Sequence, residues 1–170
     1  SNRIPQFNSI GPKKSEFKWP KNSFRAQEQY LIPILDNVEH EARWLSVETS
    51  RGCPYKCAFC DWGGGINTKV RRKPNDMIKQ ELDVIFKHLG HMLFHVTDAN
   101  FGIFKERDYQ IAEKICEIKQ TRNLPNNVSL SYAKNSTKDV IDLVELFAKN
   151  NLSRGMTLSF QSMDDKVLES

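Results

Sequence analysis

The amino-acid sequence predicts an α/β fold built from parallel (βα) repeats. Short apolar runs alternate with longer stretches whose apolar residues recur at helical spacing. Each apolar run also ends in a small polar cluster, as strands do where they feed a loop and then a helix. The order from residue 44 onward reads βαβαβαβα, which implies a parallel sheet with right-handed crossovers.

The first strand is Trp44–Val47, followed by Glu48, Thr49, Ser50, Arg51 and Gly52. A helix then starts at Asn75, a good N-cap, and carries Met77, Ile78, Leu82, Ile85, Phe86 and Leu89 on one face, with Gly90 as its stop. Met92–Val96 is the second strand and runs out into Thr97, Asp98, Ala99 and Asn100. Asp108 is the expected cap of the next helix, whose buried face is Ile111, Ala112, Ile115, Cys116 and Lys119, and which Pro125 breaks. Val128–Tyr132 alternates as a third strand and ends at Lys134 and Asn135. The third helix has Ser136 or Thr137 as cap and Val140, Ile141, Val144, Phe147 and Ala148 as its buried stripe; Asn150 and Asn151 end it. Met156, Leu158 and Phe160 form a fourth strand ending at Gln161 and Ser162, and a fourth helix begins near Asp164. In parallel sheets the C-terminal strand ends share one rim, and that rim carries function.

Composition sets the class. The chain has 170 residues, 39% hydrophobic and 27% charged, enough to bury a core as one domain over 44–170. Residues 1–43 hold Pro5, Pro12, Pro20 and Pro33 with little periodicity and read as an arm or linker. No apolar run approaches the roughly 20 residues of a membrane span, and the start has no signal-peptide core, so a cytoplasmic protein with no membrane partner is expected. A net charge of +4 is too weak to favour nucleic acid.

Cysteine carries the chemistry. Of 4 cysteines, Cys53, Cys57 and Cys60 fall in one CxxxCxxC run, which suits a metal or redox site rather than a disulfide scaffold. Structural zinc wants four closed ligands, and His40, His91 and His95 lie off the run at no zinc-finger spacing. An iron–sulfur cubane held by three thiolates leaves one iron open to a ligand. The glycines of Asp61-Trp62-Gly63-Gly64-Gly65 let backbone approach a bulky cluster closely. Cys116, on a helix stripe, reads as core, and His91 and His95 as packed strand residues.

The cysteine run after the first strand, with Phe59 before its last cysteine, resembles the radical S-adenosylmethionine (SAM) enzymes. Glu48–Tyr55, Cys60–Gly65, Asp98–Gly102 and Gln161-Ser162-Met163 resemble the group that often carries an upstream cobalamin-binding domain. The resemblance implies a partial TIM-like barrel, of which about four βα units are present, truncated at its C-terminal side. It implies that Cys53, Cys57 and Cys60 hold a [4Fe–4S] cluster that reductively cleaves SAM to methionine and a 5′-deoxyadenosyl radical. Phe59 would lie near the adenine, and Gln161 and Ser162 near the ribose. Asp98 and Asn100 would meet the SAM amino group, where many relatives have a Gly-Gly-Glu-like motif. Lys134 and Asn135 would be substrate-side or structural, and Arg51 would offset the charge of the thiolates. A flavodoxin or ferredoxin would be the reductant, cobalamin would be bound by a domain outside this chain, and an open barrel edge would invite self-association. The alternatives are an iron–sulfur electron-transfer or scaffold module without SAM turnover, and a zinc-stabilised domain.

Overall fold

The computed structural model describes residues 44–55, 57, 60, 69–88, 93–134, 138–156 and 164. The arm expected over 1–43 and most of the expected fourth strand and helix lie outside the described residues; Met156 and Asp164, which are described, belong to no strand or helix. The elements are β1 (Trp44–Val47), β2 (Ser50–Arg51), β3 (Arg71–Arg72), α1 (Asn75–His88), β4 (Leu93–Phe101), α2 (Lys105–Arg122), β5 (Asn127–Tyr132) and α3 (Lys138–Lys149).

β1, β4 and β5 form a parallel sheet in that order, with Val47 opposite Val96 and Val96 opposite Leu130. Each parallel pair is joined through a helix, the α/β alternation expected from the sequence. β2 and β3 form a separate antiparallel pair, Ser50 opposite Arg72 and Arg51 opposite Arg71. That ribbon clamps the chain where it leaves for the cysteines and where it returns.

The core lies between sheet and helices. Phe86 of α1 meets Phe94 of β4 with ring centroids 5.2 Å apart, a tilted contact of the kind aromatic pairs prefer. α1 packs on α2, and α2 on α3. The Lys114–Asp83 and Lys105–Asp139 ion pairs link the same helices at the surface.

Four local expectations are corrected. β4 continues past Val96 to Phe101, so Thr97–Asn100 belong to the strand rather than to a loop. Between Val96 and Phe101 the pairing with β5 slips: four β4 residues stand where β5 has Ser131 alone. A bulge of this kind re-aims side chains at a strand end. Asp108 lies inside the first turn of α2, whose N-cap is Phe104. Its carboxylate reaches back to accept from the Gly102 amide at 2.8 Å and the Phe104 amide at 3.1 Å, so it satisfies free amides from within the helix. Ile118, not Lys119, joins the buried face of α2; Lys119 sits in the last turn, where a cation suits the helix dipole. On α3 the buried stripe is Val140, Leu143 and Phe147, and Ile141 is 51% exposed. Val140 and Phe147 are thus buried as expected, Leu143 joins them, and Val144 packs partly buried against the core.

The helices α2 and α3 end at asparagines in the left-handed conformation, the second of them at Asn151 as expected. Asn123 has φ 55° and its amide donates to the Lys119 carbonyl, while Asn151 has φ 54°. After α3 the Leu152 amide donates to Phe147 and the Asn151 amide to Ala148, a Schellman-type ending. At the turn after β4, Gly102 has φ +95°, and a Cβ there would lie 3.1 Å from Leu143 Cδ1.

Replacing Gly102 by Ala is expected to destabilise the chain by about 1–3 kcal/mol, through left-handed strain and the crowded Leu143. Urea unfolding of G102A against the parent measures it. A second expectation concerns pH. Burial pushes the Cys116 thiol from 9.0 up to about 11 and the Tyr132 hydroxyl from 10.0 up to about 12. Over that window the folded state keeps protons that the unfolded state has lost, so stability falls as pH rises from about 9. Unfolding midpoints taken between pH 8 and about 11 should drop, and less steeply in C116A.

Candidate functional site

The site begins where β1 hands the chain to the rim. Asp98, 2% exposed near the end of β4, accepts from the Thr49 amide at 2.6 Å, the Thr49 hydroxyl at 2.5 Å and the Ser50 hydroxyl at 2.7 Å. Asn100, two residues on and also buried, donates from Nδ2 to Cys53 Sγ at 3.1 Å. β4 therefore grips the outgoing chain at two points, before and at the first cysteine. Gly52 between them has φ 106°, a backbone turn that a side chain would strain.

Arg107, from the first turn of α2, holds the same segment from the other side. Its Nη2 donates to the carbonyls of Thr49 at 2.6 Å and Lys73 at 3.3 Å, and Nη1 to Thr49 Oγ1 at 3.3 Å. The Lys73 amide donates to the Thr49 carbonyl at 3.0 Å, tying the returning chain to the outgoing one. Lys73 also forms a largely buried ion pair with Glu81 of α1 at 2.8 Å. Arg107 pairs with the buried Asp108 at 2.6 Å, its own side chain 10% exposed. Burial pushes the Asp108 carboxyl up, against the opposing pull of the Phe104 and Gly102 amides and of Arg107.

Cys53 is buried; Cys57 and Cys60 are half-buried and joined by a turn in which the Cys60 amide donates to the Cys57 carbonyl at 3.1 Å. The Tyr55 hydroxyl is pushed up first by burial, then by the negative charge available at Cys53 and Cys57. Cys53 and Cys60 open onto one cleft of about 280 Å³, lined also by Thr97, Asp98, Ala99, Asn100, Ser131 and Lys134. Its floor is the C-terminal rim of β4 and β5. Among the described residues no three His, Cys, Asp or Glu side chains converge on a point that one metal ion could occupy. In an iron–sulfur cubane each thiolate sits on its own iron, so its ligand set spreads wider than that of a single ion. An amide donor aimed at Cys53 sulfur and two cysteines on one polar cleft fit such a group.

The rim thus brings together Cys53, Cys60, Asp98, Asn100 and Lys134. Within the rim the Asp98 carboxylate is engaged by Thr49 and Ser50. Arg51 turns outward and pairs with Glu48 at 2.6 Å, rather than lying over the thiolates. Phe59, Trp62, His40, His91, Asn135, Gln161 and Ser162 lie outside the described residues. Sequence reasoning missed Arg107, whose only sign was an Arg-Asp pair at a helix start.

The structure is a parallel α/β sheet whose first strand feeds a three-cysteine segment, with a polar cleft on the strand-end rim. The chain belongs to the radical SAM superfamily, whose sequence model matches residues 47–170. It is similar to the cobalamin-dependent radical SAM methyltransferase TokK of Streptomyces tokunonensis, 36% identical over 146 residues. It is also similar to the 2-(S-pantetheinyl)-carbapenam-3-carboxylate methyltransferase of Streptantibioticus cattleyicolor, 35% identical over 146 residues. Each alignment covers 82% of this chain and 21% of the relative, so the chain spans about a fifth of their length. The threonylcarbamoyladenosine tRNA methylthiotransferase MtaB of Thermotoga maritima is 26% identical over 160 residues, 87% of this chain and 36% of that protein. No helix among the described residues is long and apolar enough to cross a membrane.

Removing Arg107 takes the cation from the buried Asp108 and one donor each from the Thr49 and Lys73 carbonyls. R107L is expected to cost about 3–5 kcal/mol, the range for breaking a buried pair by deleting one partner. Guanidinium unfolding of R107L beside R107K checks it, the lysine variant retaining part of the loss.

Proposed function

We propose that this chain supplies the cluster- and SAM-binding part of a radical SAM enzyme acting in cobalamin-dependent methyl transfer. The observation that carries the reading is the cleft that joins Cys53 and Cys60 to the polar end of β4. The names of the two methyltransferase relatives support the methyl-transfer part.

In this reading Cys53, Cys57 and Cys60 hold the [4Fe–4S] cluster. When bound, that cluster supplies the single electron that cleaves SAM reductively; the chemistry is the cofactor's, and the chain holds and orients it. Asn100 Oδ1 is buried, has no hydrogen-bond partner among the described residues and lies on the cleft. It is the acceptor for the SAM ammonium. Asp98 contributes by holding Thr49 and Ser50 in place. By family resemblance the adenine is assigned to Phe59 and the ribose to Gln161 and Ser162. The electron comes from a flavodoxin or ferredoxin, and cobalamin is carried by a part of the enzyme outside this chain.

Anaerobic reconstitution with iron and sulfide, followed by electron paramagnetic resonance of the reduced chain, tests the reading. The expected result is a [4Fe–4S]⁺ signal that shifts when SAM is added, with 5′-deoxyadenosine formed. A cluster signal indifferent to SAM would favour an electron-transfer module. Stoichiometric zinc with no cluster would favour a zinc-stabilised domain.

A further inference from the structure

We propose that Asn100 is a positioning residue that tunes the reduction potential of the cluster through the Cys53 sulfur. The inference rests on the function proposed above and concerns the amide nitrogen of Asn100, a different atom from the one assigned to SAM. Asn100 is 4% exposed, and its Nδ2 lies 3.1 Å from Cys53 Sγ. The orientation of the amide follows from chemistry. A thiolate accepts and does not donate, so the NH₂ end faces it and Oδ1 faces away.

The placement is built rather than incidental. The slip between β4 and β5 sets Thr97–Asn100 out of step with Ser131, and Asp98 and Asn100 both turn toward the outgoing chain. Asp98 fixes Thr49 and Ser50, so the approach of Cys53 to Asn100 is set before any cluster is bound. Cys53 itself is 6% exposed, so water competes little for its sulfur. A hydrogen bond to a cluster sulfur draws charge from it and stabilises the reduced, more negative state; such bonds are one of the terms that set cluster potentials. Cys57 and Cys60 are half-buried, and no side-chain donor to either is seen among the described residues. Cys53 is therefore the ligand through which the protein acts most directly on the cluster's charge.

The test is a redox titration of the reconstituted full chain, one electron taken from a soluble titrant per cluster, followed by electron paramagnetic resonance. The parent is compared with N100L, N100S and N100D. N100L removes the donor, N100S keeps a donor on a shorter arm, and N100D keeps the shape but turns the donor into an acceptor. Loss of the donor is expected to lower the potential, shifting the oxidised-to-reduced ratio at fixed poise by about tenfold, or about 59 mV for one electron. N100D should shift it further, and N100S less than N100L. Iron per chain should stay near that of the parent, since all three cysteines remain. Equal potentials in parent, N100L and N100D, each with a full cluster, would overturn the proposal. So would failure of all three variants to load iron while the parent loads, which would make Asn100 a residue of loop assembly alone. A parent chain that takes up no cluster would instead overturn the function proposed above, and the tuning role with it.

Discussion

The site depends on one buried carboxylate. A carboxyl group taken out of water, as at Asp98, costs several kcal/mol unless its oxygens find hydrogen-bond partners. It finds three, all from Thr49 and Ser50. The same requirement works in reverse on the outgoing chain. Thr49 is 2% exposed, and its amide and hydroxyl need acceptors as much as Asp98 needs donors. Thr49 Oγ1 donates to Asp98 and accepts from Arg107, so one hydroxyl joins the strand end to the helix start. With both partners satisfied, the direction in which the chain leaves β1 is fixed, and the position of Cys53, four residues after Thr49, follows from it.

The turn from β4 into α2 works as a unit with that carboxylate. Gly102 makes the turn, and its amide, with that of Phe104, is taken up by Asp108. Arg107, the neighbouring residue in the same helical turn, points the other way and reaches Thr49 and the Lys73 carbonyl. Two adjacent residues thus serve opposite ends of the problem: one closes the helix start, the other closes the base of the cysteine-bearing segment. Their own ion pair keeps each charge compensated where water is excluded. The ribbon of β2 and β3 and the Lys73–Glu81 pair complete the closure from the side of α1.

How much of this was legible in the sequence differs by layer. Periodicity found the strands Trp44–Val47 and Val128–Tyr132, and it found the three helices, because burial on one face writes a repeat into the residues. On α3 it found Val140 and Phe147 but took Ile141 and Ala148, which are exposed, in place of Leu143, since apolar residues at helical spacing lie on both sides of that face. Only the partner surface separates such rows. The polar end of β4 was visible as a cluster, but the strand was read as ending at Val96, because a bulge carries polar residues that break alternation. Of Arg107 the sequence shows only an Arg-Asp pair at a helix start. A cation in the first turn of a helix runs against the dipole, and the pairing with Asp108 does not account for the contacts of its other nitrogen. Its reason lies 58 positions away, at Thr49.

The contrast between Asp98 and Asn100 shows how finely the rim assigns its chemistry. The two are two residues apart on one strand, both buried and both facing the outgoing chain. They differ in side-chain shape by almost nothing. What differs is what each one meets. At position 98 the chain presents an amide and two hydroxyls, which are donors, and a carboxylate accepts all three. At position 100 it presents a sulfur that becomes a thiolate when it binds metal, and a carboxylate 3.1 Å from it would set two negative charges together in a site of low dielectric. An amide offers a donor there instead, and keeps an acceptor for the cleft. Exchanging the two residues would leave volume unchanged and invert both interactions. The order Asp-Ala-Asn at the end of β4 is thus fixed by the electrostatics of the segment it grips, more than by the packing of the strand that carries it.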